Sequence, residues 1–535
     1  MQDFAIVVRR AAGLLAALAL AVACQAAAAV TLRVASQGDA LSMDPHSLAE
    51  AVQFSVTGNV YEPLVERDRD FRLAPALATG WTQTGPTTWR FELRRGVLFH
   101  DRSSFTADDV VFSWQRARSE GSGVQPFVAP IRDIVKVGEH TVDIVTDGPY
   151  PMLPELITVW AIMSKSWCTA HDATRPVDRR QGIENAASFQ ANGTGPFVLR
   201  ERVPGVRTVF RRNAVYWRAP QGNVDDVVFT VIGNDGTRLA ALLSGEADVI
   251  DPLPVQDAPR VAANAALQVV NGPENRVIFL GMDQKRDELL FSDVKGRNPF
   301  KDRRVRRAVY QAIDIEAIRS SVMREAARAM ALMVSPEVNG YAPDLAARLP
   351  YDPAAAKRLL AEAGYAEGFS VRLDCPNDRY VNDARICQAV AANLARVGVR
   401  VQVNAEGKAT WLPRVMRRET SFYLLGWAPV TVDAHNTLYT VMASPGPGGR
   451  GGFNLGSYAN PKVDELTERI ASAPDRASRD AMIHEALRLH QEDIGHIPLH
   501  QQFLSWGARR NVSVVQLPSG RMPWKYVRIA PAALR

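Results

Sequence analysis

Apolar residues along this chain recur in two rhythms that take turns, one of period two and one of three to four. TLRVAS (31–36) alternates and predicts a strand. TWRFELR (88–94) does the same, with Trp89, Phe91 and Leu93 on one face. FTADDVVFSWQRA then switches to helical spacing: Thr106 is the predicted N-cap, Asp109 stands three residues on, and Val110, Val111 and Trp114 form the apolar stripe. EHTVDIV (139–145) and VDDVVFTVI (224–232) read as strands, the second buried. In GTGPFVL (193–199), a turn feeding a strand, Gly193 and Gly195 are expected to adopt backbone conformations closed to other residues, while Pro196 stiffens the approach. Residues 235–250 carry a short helix and then the strand ADVID.

In the second half the rhythms alternate more strictly. Asp302 caps a helix whose inward residues are Val305, Ala308, Val309, Ala312 and Ile313. Asp352 and Pro353 start another, which ends at Gly364. SVRLDC (370–375) is a strand, and Asn382 or Asp383 opens a helix with Ile386, Val390, Leu394 and Val397 inward and Gly398 closing it. VRVQV (399–403) follows. Strand, helix, strand in that order predicts a parallel pair with a right-handed crossover. Pro461 opens a helical region running toward Ile494, and SPGPGGRGG (444–452) is a surface loop.

Length and composition narrow the class. A chain of 535 residues holds two or three domains, and its 47% hydrophobic and 22% charged residues are ordinary for a globular protein. The formal charge of +6 comes from scattered Arg; the run Arg303, Arg304, Arg306, Arg307 reads as a solvated helix face. A nucleic-acid surface would need a basic stripe interleaved with aromatic residues, and none is present. The N-terminus has Arg9 and Arg10, an apolar stretch and an Ala-rich exit, the pattern of a secretory signal (1–29) removed near Ala27 to Ala29. Lipidation at Cys24 is disfavoured because Ala21 stands where leucine is usual. Export places the protein in the periplasm, where Cys375 and Cys387 could pair across a short strand-to-helix connection or remain buried thiols; Cys168 is then left over. No nucleophile elbow, zinc-protease motif or phosphate-binding loop points to an enzyme. Asp108 and Asp109 suit the first turn of a helix better than acid chemistry. The nine His are spread thinly, without zinc-type spacing; His435 reads as a turn residue rather than a metal ligand. Trp81, Trp89 and Trp114 read as core.

Nine segments together resemble family 5 of the extracytoplasmic solute-binding proteins, the receptors of oligopeptide, dipeptide and nickel ABC importers. They are NVYEPLVERD (59–68), PALATGW (75–81), TTWRFELRRGVLFHD (87–101), FTADDVVFS (105–113), GTGPFVL (193–199), LLSGEADVID (242–251), DRRVRRAVYQAID (302–314), DPAAAKRLLAEAGY (352–365) and FNLGSYANPKVDELT (453–467). The resemblance implies an α/β, two-lobed periplasmic-binding-protein-like fold (type II, cluster C) with an extra domain inserted in the first lobe. Lobe I is expected at 30–62, 190–272 and 495–535, the inserted domain at 63–189, and lobe II at 273–494. It implies a monomer that closes on a small-molecule or peptide ligand and meets permease subunits at the inner membrane, with no cofactor and no nucleic acid.

For the site, the resemblance directs attention to GWAPVTVDAHN (426–436). Trp427 fits the family pattern. Peptide-binding members carry an Asp three residues beyond it to hold the ligand's amino terminus, but here that position is Val430. Either Asp433 reaches round to serve, or the cargo has no ammonium there. Lys408 occupies a position that often reaches the cleft, and Arg379 lies near the place where dipeptide-binding members present an Arg to the ligand carboxylate. Both also fit as solvated surface residues. The leading expectation is a peptide receptor; a receptor for a non-peptide anion or metal chelate, and a binding or sensor protein without a transporter, are the alternatives.

Overall fold

The computed structural model describes residues 29–178, 183–473 and 475–531; the expected signal segment and Cys24 lie outside the described residues. An eleven-stranded sheet forms the frame. At its middle two long antiparallel strands lie side by side, Leu267–Met282 and Ile497–Arg509. On one side follow Val249–Asp251, Thr31–Ser36, Asp226–Val231, Arg207–Arg212 and Phe197–Val203. On the other follow Phe422–Trp427, Phe369–Pro376 and Val399–Glu406. The last two run parallel, Phe369 opposite Val399, as the strand–helix–strand pattern predicts, with the helix Asp383–Ala395 between them in sequence. The central pair keeps register from Leu267 opposite Arg509 to Pro273 opposite Phe503, then slips and resumes at Val277 opposite Gln501. Glu274, Asn275 and Arg276 fall in that slip. Such an interruption frees local polar groups and bends the strand.

Separate hydrophobic cores flank the slip. One gathers Ile278, Phe300, Val305, Leu373, Trp411, Leu424 and their neighbours. A second is built around Leu32, Val60, Phe210, Trp506 and Trp524. A third, around Phe91, Phe105, Val110 and Trp160, packs on a four-stranded antiparallel sheet ordered Ala78–Gly85, Thr88–Leu93, Thr141–Thr146, Ile131–Gly138. Trp114 is buried in this third core, and Trp81 and Trp89 pack against it. The helix Ala107–Arg118 begins as predicted: Thr106 Oγ1 accepts from the Asp108 amide at 3.3 Å and Asp109 Oδ2 accepts from the Thr106 amide at 2.9 Å. In Arg303–Gln311 the predicted inward residues Val305, Ala308 and Val309 are buried; each large apolar side chain so buried contributes about 1.5–3 kcal/mol.

Three local readings change. The Arg run is not one solvated face: Arg306 is only 7% exposed and donates to the carbonyls of Phe300, Lys301, Asp493 and Ile494, so it clamps loop ends. Gly193 and Gly195 do not take positive φ. They are glycines because a Cβ on either would run into the Val60 carbonyl of the neighbouring chain segment. The region from Pro461 to Ile494 is two helices, Pro461–Ala471 and Arg476–Asp493, the second restarted by Asp475, whose Oδ1 accepts from the Ser478 amide at 2.9 Å.

Candidate functional site

A cleft of about 1920 Å³ opens where the three cores approach one another. Phe54 and Phe127 form part of one wall, and Trp411 and Trp427 part of the other. Drug-sized sites occupy roughly 300–1,000 Å³, so this cleft has room for a larger guest or for a small one with water.

Trp427 reaches the cleft because it ends a central strand at the slip, opposite Val277. Its Nε1 donates to Asn436 Oδ1 at 3.1 Å and its ring packs on Phe453 at 4.8 Å, so one face is held and the rest is offered to the cleft. Gly426 just before it leaves space for Tyr380 and Ile278, which a Cβ would meet at 2.9 and 2.6 Å. Val430 follows in the turn and lines the cleft with an apolar side chain.

Asp433, also in that wall, is 1% exposed and already engaged. Its Oδ1 and Oδ2 take both terminal nitrogens of Arg479 at 2.5 and 2.8 Å. Oδ2 accepts from Asn339 Nδ2 at 2.7 Å, and Oδ1 accepts from the His435 amide at 2.8 Å, capping the short helix Ala434–Thr437. Four donors on two oxygens leave little capacity for a ligand ammonium. His435 turns inward, its Nε2 donating to the Thr467 carbonyl at 3.1 Å, and burial lowers its pKa to about 4, so the ring is neutral.

Arg379 and Lys408 both line the cleft. Arg379 sits in the loop after Phe369–Pro376 with its guanidinium 5.3 Å from the Tyr380 ring centre, and Lys408 begins the helix Lys408–Met416, its amide donating to Asp378 Oδ1 at 2.6 Å. Neither side chain has a carboxylate partner among the described residues. Cys375, at the end of that strand, is bonded to Cys387 in the following helix, which ties the Arg379 loop at its base. Cys168 is buried and unpaired.

The charge around the cleft is unbalanced. Among the described residues seven basic side chains line it against five carboxylates, Asp39, Glu50, Glu66, Glu274 and Asp433. Asp39 pairs with Arg202, Glu66 with Arg218 and Lys525, Glu274 with Arg276, and Asp433 with Arg479. Glu50 caps Ala51–Thr57 through Oε2, which accepts from the amides of Val52 and Gln53, while its Oε1 has no donor among the described residues. Arg118, Arg379, Lys408 and Arg521 have no carboxylate partner among the described residues. Unpaired cations facing a low-dielectric cleft favour an anionic guest. Among the described residues no three His, Cys, Asp or Glu side chains gather into a metal-binding group.

The slip residues are site residues that local sequence patterns did not disclose. Arg276, beside the buried Glu274 at 2.9 Å, reaches the Gly426 carbonyl at 3.4 Å and lies 5.7 Å from the Tyr380 ring centre. Asn275 Nδ2 donates to the Pro429 carbonyl at 3.3 Å. The only local signal is Pro273 interrupting an otherwise strand-like run.

A bilobal α/β frame with one deep cleft at the slip of two shared strands is the architecture of a periplasmic-type solute receptor. The chain belongs to the family described as bacterial extracellular solute-binding proteins, family 5, whose middle region matches residues 72–449. It is 27% identical over 506 residues to the glutathione-binding protein GsiB of Salmonella choleraesuis, covering 91% of this chain and 92% of that protein. The dipeptide-binding protein of Escherichia coli is 26% identical over 498 residues, 86% of each chain. Among solved structures, the Listeria monocytogenes substrate-binding protein CtaP superposes with a TM-score of 0.80 at 18% identity, over 94% of this chain and 99% of that one. Helicobacter pylori DppA in complex with the peptide STSA gives 0.76 at 22% identity, over 94% and 98%; these two show the shared fold.

Proposed function

We propose that this protein captures peptides or peptide-like solutes bearing a carboxylate and presents them, by closing its lobes, to an ABC permease at the inner membrane. The observation that carries the reading is the cleft itself: it is lined by an aromatic face at Trp427 and by two cations, Arg379 and Lys408, without carboxylate partners among the described residues. A guanidinium and an ammonium suit a ligand carboxylate, and the aromatic face suits an apolar side chain. The relatives named for dipeptide and glutathione binding support the same class of cargo. In this reading the chain divides into lobe I (30–62, 190–272 and 495–535), an inserted domain (63–189) and lobe II (273–494), and the slip at Glu274–Arg276 supplies the hinge. The protein acts in the periplasm as a monomer; among the described residues no helix is long and apolar enough to cross a membrane.

Because Val430 carries no charge and Asp433 is held by Arg479, a peptide's amino terminus is left to Glu50, through its open Oε1 on the opposite wall. Melting curves against di-, tri- and tetrapeptides, each free, N-acetylated and C-terminally amidated, and against free divalent metal ions, test both points. Binding at a hundred times Kd stabilises by about 2.7 kcal/mol. The expected result is a rise with free peptides that C-terminal amidation and N-acetylation each reduce. A response to free metal ions alone refutes the peptide reading, and equal responses to free and N-acetylated peptides refute the role of Glu50.

A further inference from the structure

Arg521 is a guanidinium that the protein's own structure does not use. It lines the cleft on the side opposite Arg379 and Lys408, stacked 4.9 Å from the Phe54 ring centre. Among the described residues its side chain has neither a hydrogen-bond acceptor nor a carboxylate partner. Every other arginine that reaches the cleft, apart from Arg118 and Arg379, is neutralised by an acid: Arg67 by Glu155 and Arg276 by Glu274. Arg118 lies over the Trp114 ring at 4.7 Å and Arg379 over Tyr380.

The segment presenting Arg521 is rigidly anchored. The Leu517 amide donates to the Arg521 carbonyl at 3.1 Å and the Gly520 amide to the Leu517 carbonyl at 2.8 Å, with Gly520 at φ +77 turning the chain. On one side the Asn275 amide donates to the Pro518 carbonyl at 2.8 Å, tying the turn to the slip of the central strands. On the other, the Met522 amide donates to Ser55 Oγ at 3.3 Å and the Trp524 amide to Asn59 Oδ1 at 2.9 Å, tying it to the chain around Ala51–Thr57. A fork-shaped donor group held in place before the guest arrives is an anion anchor that costs little ordering on binding. Burial holds the Arg521 pKa down to about 10.

We propose that Arg521 forms a second anionic subsite, facing Arg379 and Lys408 across the cleft, which selects cargo bearing two carboxylates: the terminal carboxylate of a short peptide and an acidic side chain. This rests on the peptide reading above and narrows it to acidic peptides. Because the Arg521 turn hangs on the slip residue Asn275, filling the subsite also bridges the lobes near their hinge.

Titration calorimetry with two tripeptide pairs tests it: Ala-Glu-Ala against Ala-Gln-Ala, and glutathione against its analogue amidated at the γ-glutamyl α-carboxylate. A series of non-peptide dicarboxylates, succinate to pimelate, accompanies them. The wild-type protein is expected to bind each dicarboxylate member at least tenfold more tightly than its partner. Arg521→Gln removes that preference while leaving Ala-Gln-Ala affinity within twofold, and Arg521→Lys restores part of it. Unliganded Arg521→Gln should melt no lower than wild type, since among the described residues the guanidinium loses no hydrogen bond or ion pair, only its stacking on Phe54. Peptide binding without an acidic preference, or a preference that survives Arg521→Gln, overturns the subsite and leaves the peptide reading standing. Binding of the non-peptide dicarboxylates alone, abolished by Arg521→Gln, supports the subsite and overturns the peptide reading. No response to any anionic probe overturns the subsite.

Discussion

Asp433 separates two accounts of the same carboxylate, and its substitution decides between them. If it anchored ligand, Asp433→Asn would weaken binding and leave the unliganded protein intact. The geometry predicts the reverse. Asp433 and Arg479 are both buried and joined by two hydrogen bonds at 2.5 and 2.8 Å. Removing one charge from such a pair strands the other in low dielectric, at a cost of about 3–5 kcal/mol. Asparagine still accepts from the His435 amide, so the helix cap is kept; Asp433→Ala loses it as well, for about 1 kcal/mol more. With a urea slope of about 2–3 kcal/mol per molar for a unit of this size, Asp433→Asn should lower the unfolding midpoint by about 1.5 M. Peptide response should persist at temperatures where the variant is folded. The double variant Asp433→Leu/Arg479→Met should be more stable than Asp433→Asn, because no unpaired charge remains. An Asp433→Asn protein that keeps its urea midpoint within about 0.3 M yet loses its response to free peptides refutes the reasoning.

Trp427→Ala should weaken peptide binding about tenfold, measured by calorimetry, with little loss of stability because the ring is only partly buried. Cys375→Ser should cost about 3 kcal/mol from reopening a loop of 12-residue separation, seen as a lower urea midpoint that reductant reproduces in the wild type. Stability should fall as pH drops from 7 toward 4. Burial lowers the pKa of His46, His100 and His435 to about 4 and of His490 and His500 to about 3, so between 6.5 and those values the unfolded chain binds more protons. Each contributes a slope of about 1.4 kcal/mol per pH unit. Asp251, raised to about 6 by burial, acts with the opposite sign, its stabilisation present below the ordinary carboxylate range and lost as pH rises through 6. Burial also raises Glu62, Asp109 and Asp383, which act with the same sign as Asp251; the five His start to protonate in the unfolded chain at higher pH, so they dominate from pH 7 to 5, and a flat urea midpoint over that range would contradict this.

Much of the fold was legible from the chain alone because its causes are local. Alternation placed Thr31–Ser36 and Thr88–Leu93, helical spacing with a capping pair placed Ala107–Arg118, and the order strand, helix, strand anticipated the parallel pairing of Phe369 with Val399. Hydrogen-bonding geometry within a few residues determines such elements, so a few residues reveal them. Trp427 was singled out only through the resemblance of its segment to the family; the strand Phe422–Trp427 that it ends was not among the predicted elements.

What depended on tertiary structure involves partners far apart in sequence. The carboxylate of Asp433 is committed to Arg479, 46 residues away, and nothing near either residue discloses that. Arg306 in a basic run, and Gly193 against Val60, owe their roles to chain segments that only folding brings near. Arg521 is the converse case, a cation for which folding supplies an anchored seat and, among the described residues, no acid. Local order determines which elements form; the long-range burial of charge determines which polar side chains are spent on the protein and which remain for a guest.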